Sequence, residues 1–197
     1  MRSTGGISGP WIVFECTMKP APWKILSQRV VLDRWWMKLR VDEVALPDGT
    51  ILPEYHVLEY PDWTLSLCVT TDNMFVLVEQ YRHAVGTLSL EFASGMLEEG
   101  EDPARGAARE LEEETGFLSP DWTHLGSWAP DPSRHNNSGH VFLARRAACT
   151  GVLQRDDTED LRVVLLDRDG VMEAIASGRI LHGMHVAAFY KALAEGL

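Results

Sequence analysis

Residues 95–117 read GMLEEGEDPARGAARELEEETGF, a stretch that holds a helix with both of its ends marked. Asp102 is a good N-cap, because its carboxylate can accept from the first orphaned backbone N–H groups, and Pro103 suits the first helical position. Gly116 suits the residue after the last turn, where a left-handed backbone is wanted. These signals predict a helix over Pro103 to Thr115. At roughly 100° per residue, Glu110, Glu113 and Glu114 share one edge, while Ala104, Ala108, Leu111 and Thr115 fall on a different, mostly apolar face. The predicted helix has an acid side and a core side. Like charges at this spacing cost about 0.2–0.5 kcal/mol per pair, with no nearby lysine to offset them. A hard cation would favour the arrangement, since Mg²⁺ takes carboxylates, waters and substrate phosphates as ligands. A solvated acidic face is the alternative.

On either side of this helix the chain is rich in strand formers. From Gln28 to about Tyr60, residues such as Val30, Val31, Trp35, Trp36, Val41, Val44 and Tyr55, with a turn at Pro47-Asp48-Gly49, predict two or three β segments. Further strands are expected at Thr64 to Thr70, Met74 to Tyr81 and about Ser89 to Phe92 before the helix, and at Gly139 to Arg146 and Leu161 to Leu166 after it. Two helical stretches, about Arg168 to Ser177 and His182 to Ala194, close the chain. Such mixing predicts an α/β protein with helices packed on a sheet.

The 197 residues are 45% hydrophobic and 24% charged, a globular composition that excludes disorder and fibrous repeats. A net charge of −11 repels phosphate backbones and argues against nucleic acid as a partner. Cys16, Cys68 and Cys149 are odd in number and lack zinc-site spacing, which predicts reduced thiols inside a cell. No apolar run is long enough for a signal peptide core or a membrane span, so a cytoplasmic protein without a membrane partner is expected.

Gly95, Glu101, Arg109-Glu110-Leu111, Glu113-Glu114 and Gly116-Phe117 stand at the spacing of the Nudix hydrolase signature, without a departure. The chain is therefore identified as resembling the Nudix hydrolases. The resemblance implies an α/β/α sandwich with a mixed sheet, joined here to an N-terminal β-rich region, with domains at 1–60 and 61–197. It implies that the acidic helix edge holds divalent metal, Mg²⁺ or Mn²⁺ in its place, against a diphosphate that is hydrolysed. By that resemblance Glu110 and Glu114 are metal ligands, Glu113 shares a metal, Arg109 orients the carboxylates and Glu101 braces the loop.

Glu79-Gln80-Tyr81-Arg82 and Leu90-Glu91-Phe92-Ala93-Ser94-Gly95 resemble the ADP-ribose pyrophosphatase branch, although Ala93-Ser94 replaces the branch's usual Pro-Ala. This implies that Arg82 contacts the substrate's phosphates or terminal ribose, that Glu91 arranges the site and that the Ser94 carbonyl ligates metal. Pro132 stands where this branch has a proline, and Arg134, His135, Asn136 and Asn137 follow it, as ligand contacts or as a plain polar loop. The acidic run Asp156-Asp157-Thr158-Glu159-Asp160 resembles the loop that supplies a late carboxylate. Glu159 is then a metal ligand, and Asp157 takes the place of a catalytic base that is usually Glu. Either a water relays the proton, or the loop sits closer, or Glu159 is the base. Trp35 and Trp36 stand in the region where related dimers stack adenine, and since neighbours on a strand face opposite ways, at most one of them stacks. Arg40 either reaches phosphate or covers apolar surface. The resemblance thus implies a homodimer that cuts ADP-ribose or a related nucleoside diphosphate sugar, a small-molecule partner. The alternatives are a GDP-mannose or UDP-sugar pyrophosphatase, and a sensor that binds ADP-ribose without cleaving it.

Overall fold

The computed structural model describes residues 20–150 and 160–197. Three antiparallel strands come first: β1 (Lys24–Arg34), β2 (Met37–Ala45) and β3 (Ile51–Glu59), a sheet of its own in the order β1-β2-β3. The second sheet contains β4 (Trp63–Thr70), β5 (Phe75–Arg82), β6 (Thr87–Met96), β7 (Phe117–Leu118), β8 (Asp121–Trp128), β9 (Gly139–Cys149) and β10 (Leu161–Leu166). Its strands run in the order β10-β5-β6-β4-β9-β7, with β8 also paired to β9. The β4–β9 pair is parallel and its neighbours are antiparallel, so the sheet is mixed.

Alternation along β4 shows how the sheet is covered on both faces. Leu65, Leu67 and Val69 join one core with Phe75, Leu77, Phe92 and residues of α2 (Arg168–Ala176) and α3 (Gly183–Ala194). The residues between them point the other way: Cys68 packs with Leu111 of α1 (Pro103–Thr115), and the Ser66 hydroxyl donates to the Ala107 carbonyl at 3.1 Å. The result is the α/β/α sandwich, with α1 on one face and α2 and α3 on the other. Burial pushes the Cys68 thiol up to about 12, which keeps this core residue protonated.

The α1 ends fall where the sequence puts them. The Asp102 carboxylate accepts from the N–H groups of Ala104 and Arg105 at 3.1 and 3.2 Å, and Gly116 adopts φ 70° while its N–H donates to the Glu112 carbonyl. The division into an acid side and a core side does not hold. Buried residues of the helix are Gly106, Ala107, Leu111, Glu114 and Thr115, while Ala104 is exposed and Ala108 half-buried. Glu114 therefore lies within the buried face, because β6 runs on past Phe92 to Met96 and covers that edge of the helix. Trp35 and Trp36 are also corrected: they form the turn between β1 and β2 and do not lie on a strand, so alternation says nothing about which one faces a ligand.

Candidate active site

Arg109 organises the exposed end of the acidic edge. Its Nε and Nη2 donate to the two Glu101 oxygens, each at 3.0 Å, and Nη2 also reaches the Met96 carbonyl at 3.2 Å. Its Nη1 donates to Glu110 at 2.8 Å and to Glu113 at 2.9 Å. The Glu101 bonds, with Glu110 and Glu113 adding and burial opposing, raise the guanidinium further above its ordinary range. The same bonds hold the Glu101 carboxyl below the usual carboxylate range. Glu101 also accepts from the Glu98 N–H at 3.0 Å, which ties the loop before α1 to the helix.

β6 crosses the same edge. The Ser94 N–H donates to Glu114 Oε2 at 3.1 Å, and a Cβ placed on Gly95 would stand 2.1 Å from the Glu110 carboxyl carbon. Only glycine lets that strand pass so close to the carboxylate. One step back along β6, Glu91 is 2% exposed and receives both Nε (2.8 Å) and Nη2 of Arg82, from the end of β5. Burial acts to raise the Glu91 carboxyl, but its surroundings, the Arg82 hydrogen bond foremost among them, hold the group below its usual range.

Arg82, Glu91 and Ser94 line a cavity of about 460 Å³, together with His182 and His185 at the start of α3. His135 and Asn137 reach the same cavity from the loop before β9, and Pro130 of that loop lines it where Pro132 does not. The end of β3 shapes this loop. The Leu58 N–H donates to the Arg134 carbonyl at 2.8 Å, and Asn137 Nδ2 donates to the Pro61 carbonyl at 2.9 Å.

Residues 63–179 match the model of the NUDIX domain, and residues 23–58 match that of the nucleoside diphosphate sugar hydrolase N-terminal domain. The chain belongs to the Nudix family. It is 33% identical to the methanol dehydrogenase activator of Bacillus methanolicus over 88% of this chain and 91% of that one. It is 26% identical to the ADP-ribose pyrophosphatase of Bacillus subtilis (strain 168), over 83% of this chain and 88% of the relative. Its fold matches a crystal structure of an ADP compounds hydrolase with a TM-score of 0.80, at 20% identity, over 90% of this chain and 96% of that one. The chain is thus a Nudix hydrolase of the ADP-ribose pyrophosphatase-like branch, and its chemistry is the hydrolysis of nucleoside diphosphate compounds. Nudix hydrolases use divalent metal ions.

For such an ion this Nudix site offers Glu110, Glu113 and Glu114, an all-oxygen donor set of the kind a hard cation prefers. Arg109 bonds to Glu101, Glu110 and Glu113 together, and so holds Glu110 and Glu113 side by side. Among the described residues no three ligating side chains already close into a cluster. Asp157 and Glu159 lie outside the described residues.

The other expected substrate contacts are spread more widely. Trp35 is 84% exposed and lines an adjoining cleft with Glu98 to Glu101, and Trp36 is 43% exposed. Arg40 pairs with Asp42, at 2.8 Å from Nε, and with Glu59, within the N-terminal sheet. Motif reading missed His182 and His185. The signal available was their separation by three positions at the start of a predicted helix, which puts both on one side of its first turn.

Proposed function

We propose that this Nudix hydrolase cuts the diphosphate of ADP-ribose or a related nucleoside diphosphate sugar with Mg²⁺, or Mn²⁺ in its place. Water adds across the P–O–P bridge: one phosphorus gains the hydroxyl, the other keeps the bridging oxygen, and the products are a nucleoside monophosphate and a sugar phosphate. The observation that carries this reading is the Ser94 N–H to Glu114 hydrogen bond, which joins the acidic helix edge to the strand bearing Glu91 and its partner Arg82. The names of relatives support the substrate class, among them the ADP-ribose pyrophosphatase of Bacillus subtilis and the ADP-sugar pyrophosphatase of Mus musculus.

In this reading Glu110, Glu113 and Glu114 hold the cation, with the Ser94 carbonyl and Glu159 completing its ligands. The cation supplies Lewis acidity toward the diphosphate oxygens and the attacking water. Arg109 keeps Glu110 and Glu113 side by side. Arg82, fixed through two of its nitrogens by Glu91, presents the remaining one to the distal phosphate. Asp157 or Glu159 takes the proton from water. Trp35, on the exposed turn, offers a stacking face to the base, and Trp36 with Arg40 supports that end of the sheet. The N-terminal region 1–60 pairs two copies, and the catalytic domain 61–197 works in the cytoplasm, where the thiols stay reduced.

The test is a panel of ADP-ribose, GDP-mannose and UDP-glucose with Mg²⁺ or Mn²⁺, the products being identified after reaction in ¹⁸O-labelled water. Preferential cleavage of ADP-ribose to two monophosphates is expected, and the labelled product tells which phosphorus is attacked. Preference for GDP-mannose or UDP-glucose would move the assignment to the other sugars. Tight binding of ADP-ribose without cleavage would make the protein a sensor.

A further inference from the structure

At Phe92 the strand β6 changes partner. Up to that residue it pairs with β5, Leu77 standing opposite Phe92, and from Ala93 onward it pairs with β4, Ser66 standing opposite Ala93. The joint separates two halves of the site. Glu91, which holds Arg82, stands just before it, while Ser94 and Gly95, which meet Glu114 and Glu110, stand just after it. Successive N–H groups of a strand point to alternate edges, so those of residues 90, 92 and 94 share one edge. All three leave the sheet: Leu90 donates to the Arg179 carbonyl at 2.8 Å, Phe92 to His185 Nδ1 at 3.0 Å and Ser94 to Glu114 Oε2 at 3.1 Å.

His185 holds the middle of this row from α3. It is 1% exposed, and its ring lies between Trp63 of β4 and Phe92 of β6, nearly parallel to both at 20°. A backbone N–H can only donate, so Nδ1 is the acceptor and the neutral ring carries its hydrogen on Nε2. Burial, with His182 adding, lowers the His185 pKa to about 3, which leaves the Nδ1 lone pair to Phe92 under ordinary conditions. Phe92 is itself fully buried. Without an acceptor at this place its N–H would be buried and unpaired, a cost that favours a shift of the strand towards another partner.

We propose that His185 is a positioning residue of this hydrolase: by accepting the Phe92 N–H it fixes β6 at the joint, and so sets the spacing between the Arg82–Glu91 pair and the carboxylates of α1. The proposal rests on the reading that these two groups act on one diphosphate. It gives α3, which lies beyond the matched residues 63–179, a share in the geometry of the reaction. A misplacement of about 1 Å in such a geometry can cost about a hundredfold in rate.

The test compares three substitutions that differ in reach. Asn places its amide where the ring places Nδ1, so His185→Asn keeps the acceptor, whereas His185→Gln carries its amide past that place and His185→Leu has none. Values of kcat and KM are measured on the nucleoside diphosphate sugar that the wild type cleaves, for variants whose near-ultraviolet circular dichroism shows them folded. The kcat of His185→Gln and His185→Leu should fall roughly tenfold or more, with KM less changed, while His185→Asn stays within about threefold of the wild type. His185→Gln supplies the readout should His185→Leu not fold. A merely structural histidine would lower stability in both and leave the kcat of the folded protein unchanged. Folded His185→Gln or His185→Leu with wild-type kcat, or His185→Asn no better than His185→Gln, overturns the positioning role. In the wild type, ¹⁵N resonances should show His185 Nδ1 without a proton and Nε2 with one, and the reverse overturns it as well. Wild-type protein inactive on all three nucleoside diphosphate sugars overturns instead the reading that this site cleaves diphosphates, and the two failures are distinct.

Discussion

A carboxylate as buried as Glu91 would be costly alone, and Arg82, itself half-exposed, is what makes its burial tolerable. The folded-state pKa of Glu91 lies below its ordinary 4.5. The stability the pair contributes is therefore present above about pH 4.5 and is lost as pH falls through the lower folded value. Arg82→Ala should cost about 2 kcal/mol near neutral pH, a figure reduced for the exposure of Arg82 to solvent. Without the guanidinium, burial favours the protonated acid, so the deficit should shrink as the solution is acidified. Denaturant titrations of both proteins across that range measure it, and a pH-independent deficit would contradict the ion pair's role. His185 gives a second acid dependence. Its folded pKa is about 3 against 6.5, so the unfolded chain binds the extra proton between those values and stability falls as pH drops from 6.5 towards 3. His185→Asn should flatten that part of the profile.

At the scale of the element, α1 and the β6 segment beside it act as one unit. Asp102→Ala removes the acceptor of two N–H groups and should lower stability by about 1 kcal/mol in denaturant unfolding. Gly95→Ala acts differently, because the new methyl meets a movable carboxylate and not backbone. Stability should change by about 1 kcal/mol or less, while turnover should fall about tenfold or more as Glu110 is displaced; equal retention of both would show that Glu110 does not need its place. This helix was legible in the sequence because local chemistry sets its ends. What escaped depended on partners distant in the chain. β8 buries only Leu125 and, among the described residues, pairs with β9 alone, so its own pattern is weak. Ala93-Ser94-Gly95 has little strand propensity, yet it pairs with Thr64, Leu65 and Ser66 of β4. The mixed face of α1, with Glu114 buried among Ala107, Leu111 and Thr115, exists only because β6 lies over it. His182 and His185 become cavity residues through α3 docking against Trp63 and Phe92, a contact that no spacing records.

At the scale of the molecule, the N-terminal sheet leaves Ile25, Val30, Val31 and Ile51 each more than 40% exposed. Apolar exposure concentrated in one small sheet is characteristic of a surface that meets a partner. In solution the mass should be that of two chains, and Val31→Arg should shift it towards one; a wild-type mass of one chain would remove the dimer from this account. The same sheet steadies the loop of His135 and Asn137 through Leu58. The account depends most on that helix edge being a cation site for diphosphate cleavage. Turnover of ADP-ribose with Mg²⁺ by wild-type protein and by Glu114→Gln tests it most directly. A fall of about a hundredfold or more in a variant that remains folded is predicted, and near-wild-type turnover by the variant would contradict it.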